Sequence, residues 1–91
     1  MEIMALMPPN AEVGRDGHLL VGGCDCVELV QEFGTPLYLF DESAIRSKCR
    51  EYQAAFSECY RDSSVIYAGK VFLNGSLVRI LAEEGMGLDV V

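Results

Sequence analysis

Apolar residues fall along this chain in short runs parted by polar or glycine-bearing joints, and the spacing within each run predicts its element. His18 to Val21 is a brief apolar run closed by Gly22-Gly23, which reads as a strand and turn. Asp25 precedes Cys26-Val27-Glu28, a helix N-cap with glutamate at the capping-box position. The short helix that follows is expected to turn Val27, Val30 and Phe33 inward. Gly34 ends it and Pro36 prevents its continuation. Leu37-Tyr38-Leu39-Phe40 reads as a compact strand, after which Asp41 caps a longer helix. Ile45, Cys49, Tyr52, Phe56 and Cys59 are spaced by four and three residues, which makes one stripe on that helix. Arg46, Lys48, Arg50, Glu51 and Glu58 fall off the stripe. Such a row of aromatics and thiols is ordinary packing rather than a cofactor box.

After the polar joint Arg61-Asp62-Ser63-Ser64, Val65-Ile66-Tyr67-Ala68 predicts the next strand. Asn74 caps a helix with Leu77, Val78, Ile80 and Leu81 apolar, slightly weakened by Gly75 in its first turn. Glu83-Glu84-Gly85 closes it, and Leu88 to Val91 predicts another strand. A strand, a short helical connection and a strand imply a parallel pair with a right-handed crossover. Parallel sheets need cover on both faces and further strands beside them. The expected class is therefore α/β, as one piece of a larger protein, with a barrel as the candidate architecture. The chain divides into a disordered tail over 1–17, a strand-helix-strand-helix segment over 18–62 and a strand-helix-strand unit over 63–91. No internal repeat or low-complexity segment is present.

Composition narrows the functional classes. The chain has 91 residues, 51% hydrophobic and 23% charged, with a net charge of −7. That is a globular composition with a small core. An acidic chain lacks the basic footprint that nucleic acids and anionic membranes require. No apolar run approaches a bilayer span, and Ile3 to Met7 has no basic region before it, so no signal peptide is expected. Cys24, Cys26, Cys49 and Cys59 do not show good zinc spacing, and His18 is not placed to help. They read as reduced, partly buried thiols of a cytoplasmic protein, with no metal expected.

Lys70 is the residue whose position suggests chemistry. It follows a strand and precedes a helix, and active sites of parallel barrels form at that end of the strands. If the strand runs so far, Ile66, Ala68 and Lys70 share a face. Ala68 is small enough to let a flat ring lie near the backbone. Asp89, on the expected neighbouring strand, offers a carboxylate that could orient an ammonium group or balance its charge. A lysine that condenses with an aldehyde must lose its proton, which partial burial or a nearby cation promotes. Spacing alone leaves the plainer alternative open, since most lysines at strand ends extend into water. Asp89 could likewise be a simple polar contact. Gly69 and Gly22-Gly23 match no nucleotide fingerprint and read as turns.

The run Tyr67-Ala68-Gly69-Lys70-Val71-Phe72 resembles the lysine motif of fold-type III, alanine-racemase-like enzymes that use pyridoxal 5'-phosphate (PLP). Within that group the match is closest to diaminopimelate decarboxylases. GTPLYLFDE (34–42), CREYQAAF (49–56) and RILAEEGMGLDVV (79–91) agree with the same family in order and spacing. The likeness covers about residues 19 to 91. The lysine motif by itself is moderately specific, and the four stretches together are quite specific.

The resemblance implies a (β/α)8 PLP-binding barrel, with the strand around 37–40 belonging to a second, β-rich domain. It implies that Lys70 holds PLP covalently, that Ala68 is the small residue beside the ring, and that Asp89 occupies an acidic position near the cofactor. It also implies decarboxylation of meso-2,6-diaminopimelate to L-lysine, a small amino-acid substrate, and active sites shared by two subunits of a homodimer. Many fold-type III enzymes carry Ala-Asn after the lysine, where this chain has Val71-Phe72. The phenylalanine suits diaminopimelate decarboxylases, and the valine is less usual. The family's Ser-Gly-Gly turn, phosphate-binding glycine loop, catalytic cysteine region and substrate-binding arginine and tyrosine would all lie beyond Val91. These 91 residues alone are therefore expected to be inactive. The alternatives are an ornithine or arginine decarboxylase, an alanine racemase, a non-enzymatic PLP-binding barrel protein, or a remnant without function.

Overall fold

The computed structural model describes residues 6–90. In chain order its elements are β1 (Ala11–Val13), β2 (Leu19–Val21), β3 (Cys24–Asp25), α1 (Cys26–Phe33), α2 (Glu42–Cys59), β4 (Ile66–Ala68), α3 (Gly75–Glu83) and β5 (Gly87–Asp89). The chain forms two compact units, Met1–Ala44 and Ile45–Val91. The mixture of helix and strand agrees with the expected α/β class. No helix among the described residues is long and apolar enough to cross a membrane.

The first unit is built on an antiparallel sheet in the order β1-β2-β3. Ala11 pairs with Val21, Glu12 with Leu20 and Val13 with Leu19. This corrects the tail expected over 1–17, of which the first five residues lie outside the described ones. Three residues are too few to show an alternation, so β1 leaves no pattern to read. Its partner is instead set by the tight turn after it, where the Gly14 amide donates to the His18 carbonyl at 2.8 Å.

Helix α1 starts and stops where its capping residues dictate. Asp25 Oδ1 accepts from the amides of Val27 at 2.8 Å and Glu28 at 3.3 Å, satisfying donors that the first turn leaves without helical partners. Gly34 ends the helix at φ +80°, its amide donating to the Val30 carbonyl, a backbone shape that favours glycine. Its apolar face does not turn into a core as expected: Val27, Val30 and Phe33 are 39%, 40% and 66% exposed. Residues 37–40 form neither helix nor strand. A strand exists only with a ladder partner, and no described strand pairs with this run. Asp41 Oδ1 caps α2 through the amides of Ser43 and Ala44 at 3.0 and 3.4 Å.

The second unit holds the core. Cys49, Leu77 and Leu81 are buried together, with Ile45, Tyr67, Met86 and Leu88 packed against them. Burying one leucine side chain contributes about 1.5–3 kcal/mol, so α3 is held mainly by its inward leucines. The predicted stripe on α2 is buried only in its first half. Tyr52 and Phe56 are each about half exposed, and Cys59 is exposed. Asn74 caps α3, its Oδ1 accepting from the Leu77 amide at 2.8 Å. Strands β4 and β5 are parallel, with Ile66 against Gly87, Tyr67 against Leu88 and Ala68 against Asp89.

Opposite charges join α2 to the end of α3. Arg46 reaches Glu84 and Glu83 at 2.8 and 2.6 Å, Arg50 Nε reaches Glu84 at 2.8 Å, and Gln53 donates to the Glu84 carbonyl at 2.8 Å. The two guanidinium groups, Arg50 foremost, hold the Glu84 carboxyl below its ordinary range.

Candidate cofactor site

The parallel pair brings together two of the three residues singled out from the sequence. Ala68 ends β4 and its register partner Asp89 ends β5. Their C-terminal ends therefore carry a small side chain and a carboxylate side by side. Ile66, Ala68, Leu88 and Asp89 line an open cleft of about 420 Å3. Ala68 projects only a methyl group there.

Lys70 is placed differently from the strand-face expectation. β4 stops at Ala68, and residues 69–70 form a turn in which the Val71 amide donates to the Ala68 carbonyl at 3.2 Å. Alternation therefore does not carry Lys70 onto the face of Ile66 and Ala68. It stands just past the strand end, exposed, and is not among the residues lining the cleft. Asp89 is also exposed. The described residues thus supply the amine, the small neighbour and the acid at one edge of the sheet, without the cover that would dry the amine.

Two features of this edge were not read from the sequence. The Gly69 amide donates to the Asp89 carbonyl at 3.0 Å. A Cβ on residue 69 would lie 2.7 Å from that same oxygen, so the close approach admits only glycine. The Tyr67 hydroxyl donates to the Phe72 carbonyl, spanning the turn that bears Lys70. An aromatic residue in a strand is normally counted as core, which hid this polar role.

The cysteines are all free. Cys24 and Cys59 are exposed, where partly buried thiols were expected. Burial, with the negative charge of Glu84, pushes the Cys49 thiol up, and Cys49 packs with Leu77 and Leu81 in the core. His18 has closer company than its sequence position suggested. Its Nδ1 lies 2.8 Å from Asp25 and 3.3 Å from Asp16. The hydrogen bond to Asp25 raises the histidine above its ordinary value and lowers the carboxyl. Asp25 thereby ties the residue before β2 to the start of α1.

No family model matches the chain. Similarity to curated proteins is extensive. The chain is 51% identical over 85 residues to the diaminopimelate decarboxylase of Methanothermobacter thermautotrophicus, covering 93% of this chain and 20% of that protein. It is 42% identical over 87 residues to the enzyme of the same name from Synechocystis, covering 94% of this chain and 19% of the relative. With that of Bacillus subtilis it shares 39% over 77 residues, 85% of this chain and 18% of the relative. Nearly the whole chain is thus similar to diaminopimelate decarboxylases, as the four sequence stretches implied. It spans about a fifth of the length of these relatives.

Proposed function

We propose that this chain is the cofactor-lysine segment of a PLP-dependent decarboxylase that converts meso-2,6-diaminopimelate to L-lysine in the cytoplasm. In this reading residues 63–91 are the first strand-helix-strand unit of a (β/α)8 barrel, and the run at 37–40 belongs to a second, β-rich domain. The observation that carries the reading is the placing of Lys70 immediately past β4, with Ala68 and Asp89 paired at the ends of two parallel strands. The identity to diaminopimelate decarboxylases across nine tenths of the chain supports the substrate.

The residues present fit the cofactor's aldehyde end and one ring face. Lys70 would hold PLP through its amine, which must first shed a proton; exclusion of water favours the neutral amine. Ala68 leaves room for the ring to lie flat. Asp89 would hold positive charge at the sheet edge and orient it. When bound, PLP supplies an electron sink for the carbanion left at the substrate's α-carbon. Water exclusion, phosphate binding and substrate recognition fall to parts of the relatives that this chain does not span, contributed across a homodimer.

The test uses the full-length protein. PLP is added, the product is reduced with borohydride, and the peptides are mapped. This segment has two lysines, Lys48 and Lys70, which separate cleanly in a digest. Label on Lys70 is the expected result, and label on another lysine overturns the site. Lysine release from meso-diaminopimelate tests the substrate, and robust turnover of ornithine or arginine instead would replace it.

A further inference from the structure

We propose that Tyr67 is a positioning residue for Lys70, its hydroxyl anchoring the lysine-bearing turn to the hydrophobic core. The inference deepens the reading of Lys70 as the cofactor lysine and rests on it.

Tyr67 sits between two kinds of structure. Its ring packs against the cluster of Cys49, Leu77 and Leu81, on the opposite side of β4 from the Ile66 and Ala68 wall. Its hydroxyl reaches forward and donates to the Phe72 carbonyl. That one bond closes a loop over residues 68–71, with Lys70 inside it. Two backbone bonds act on the same loop. The Val71 amide donates to the Ala68 carbonyl at 3.2 Å, and the Gly69 amide donates to the Asp89 carbonyl at 3.0 Å. The near side of the turn is therefore fastened to β5, and its far side is held by the Val71 amide and by the phenol.

An exposed lysine samples many rotamers, and a loose backbone multiplies the positions its amine can reach. Fixing the Cα of Lys70 relative to Ala68 and Asp89 sets where its amine can meet an aldehyde lying in the cleft. Phenylalanine at 67 would keep the packing and lose the anchor. Tyr67 itself touches neither substrate nor cofactor in this scheme; it acts through the turn.

The experiment compares full-length wild-type protein with Tyr67→Phe. The rate of PLP capture is followed by absorbance at limiting cofactor, and borohydride reduction with peptide mapping locates the label. Amide exchange at Val71 reports the turn without any cofactor. The expected result is label on Lys70 in both proteins, capture slower by about fivefold in the variant (the scale of one hydrogen bond), and faster exchange at Val71. Protection in β4 and β5 should be unchanged. Equal capture rates together with equal Val71 exchange would overturn the positioning role while leaving the lysine assignment intact. Label on a lysine other than Lys70 in wild type would remove both. Should Tyr67→Phe fail to fold, 3-fluorotyrosine at position 67 keeps the ring and strengthens the donor. Slower Val71 exchange then supports the anchor, and unchanged exchange overturns it.

Discussion

The two units of this chain are held by different forces. Among the described residues, every buried residue belongs to Ile45–Val91: Cys49, Leu77, Ile80 and Leu81. The described residues of the first unit include no buried one to match them. It is organised by a three-stranded ladder, by aspartates at the starts of two helices, and by polar pairs such as His18 with Asp25 and Asn10 with Asp41. Hydrophobic burial is large and insensitive to pH, while exposed polar pairs contribute little each and respond to pH and salt. The candidate lysine is carried by the unit with the apolar core. That is the physical requirement for holding a reactive amine in one place.

The strongest way to break this contrast is to cut the core. Leu81, 3% exposed, sits at its centre. Leu81→Ala is expected to cost roughly 2–5 kcal/mol in urea unfolding. Amide exchange should rise across β4 and β5 and stay level in β1 and β2. An equal rise in both sheets would show that the two regions share one cooperative core.

A smaller effect should come from the charged clamp. The Glu84 side chain is 8% exposed and its carboxyl is held below the ordinary 4.5 by Arg50 and then Arg46. A depressed carboxyl contributes stability that is present above its unfolded value and is lost as pH falls through the folded one. Melting temperature should therefore drop as pH goes below about 4.5. Glu84→Gln should lower it at neutral pH and flatten the acid limb. An unchanged acid limb would mean that the clamp does not hold α2 to α3.

The least effect, and the one particular to the first unit, is set by His18. Its raised value means that its contribution is present below the ordinary 6.5 and is lost as pH rises through the folded value. Asp25, lowered from 3.8, contributes above that value and loses its contribution as pH falls through the depressed one. Protection of the Leu19–Val21 amides should thus be best between those limits and fall on the alkaline side. His18→Gln should level the profile. The groups facing His18 are Asp16, Asp25 and Glu28, all acidic, so none reverses the sign.

Local chemistry was legible in the sequence wherever one residue decides an outcome alone. Asp25, Asp41 and Asn74 cap the three helices from their own side chains, and Gly34 ends α1 by its own backbone. The β4-α3-β5 unit was legible because its helix is long enough to force a parallel crossover. What depends on a distant partner was not legible. Leu37 to Phe40 has strand composition and no described strand beside it. The stripe on α2 continues past Cys49 with regular spacing, and the described residues cover only its first half. At the site, Ala68 and Asp89 were placed by register, which alternation can count. Lys70 stands just past the strand end, where its sequence position put it, and only the condition that the strand run on to share its face with Ala68 fails, because the chain turns at Gly69. The Arg46 and Arg50 pairing with Glu84 links residues more than thirty apart, and no spacing rule reaches that far.

The contact at Gly69 also bears on how this segment can vary. A carbon on residue 69 would meet the Asp89 carbonyl oxygen at 2.7 Å, inside the distance at which backbone must move. Every first- or second-base exchange in a glycine codon introduces such a carbon or a stop. A first- or second-base change at that codon would therefore either truncate the chain or force residue 69 away from Asp89. The turn that bears Lys70 thus tolerates only synonymous change at its first residue.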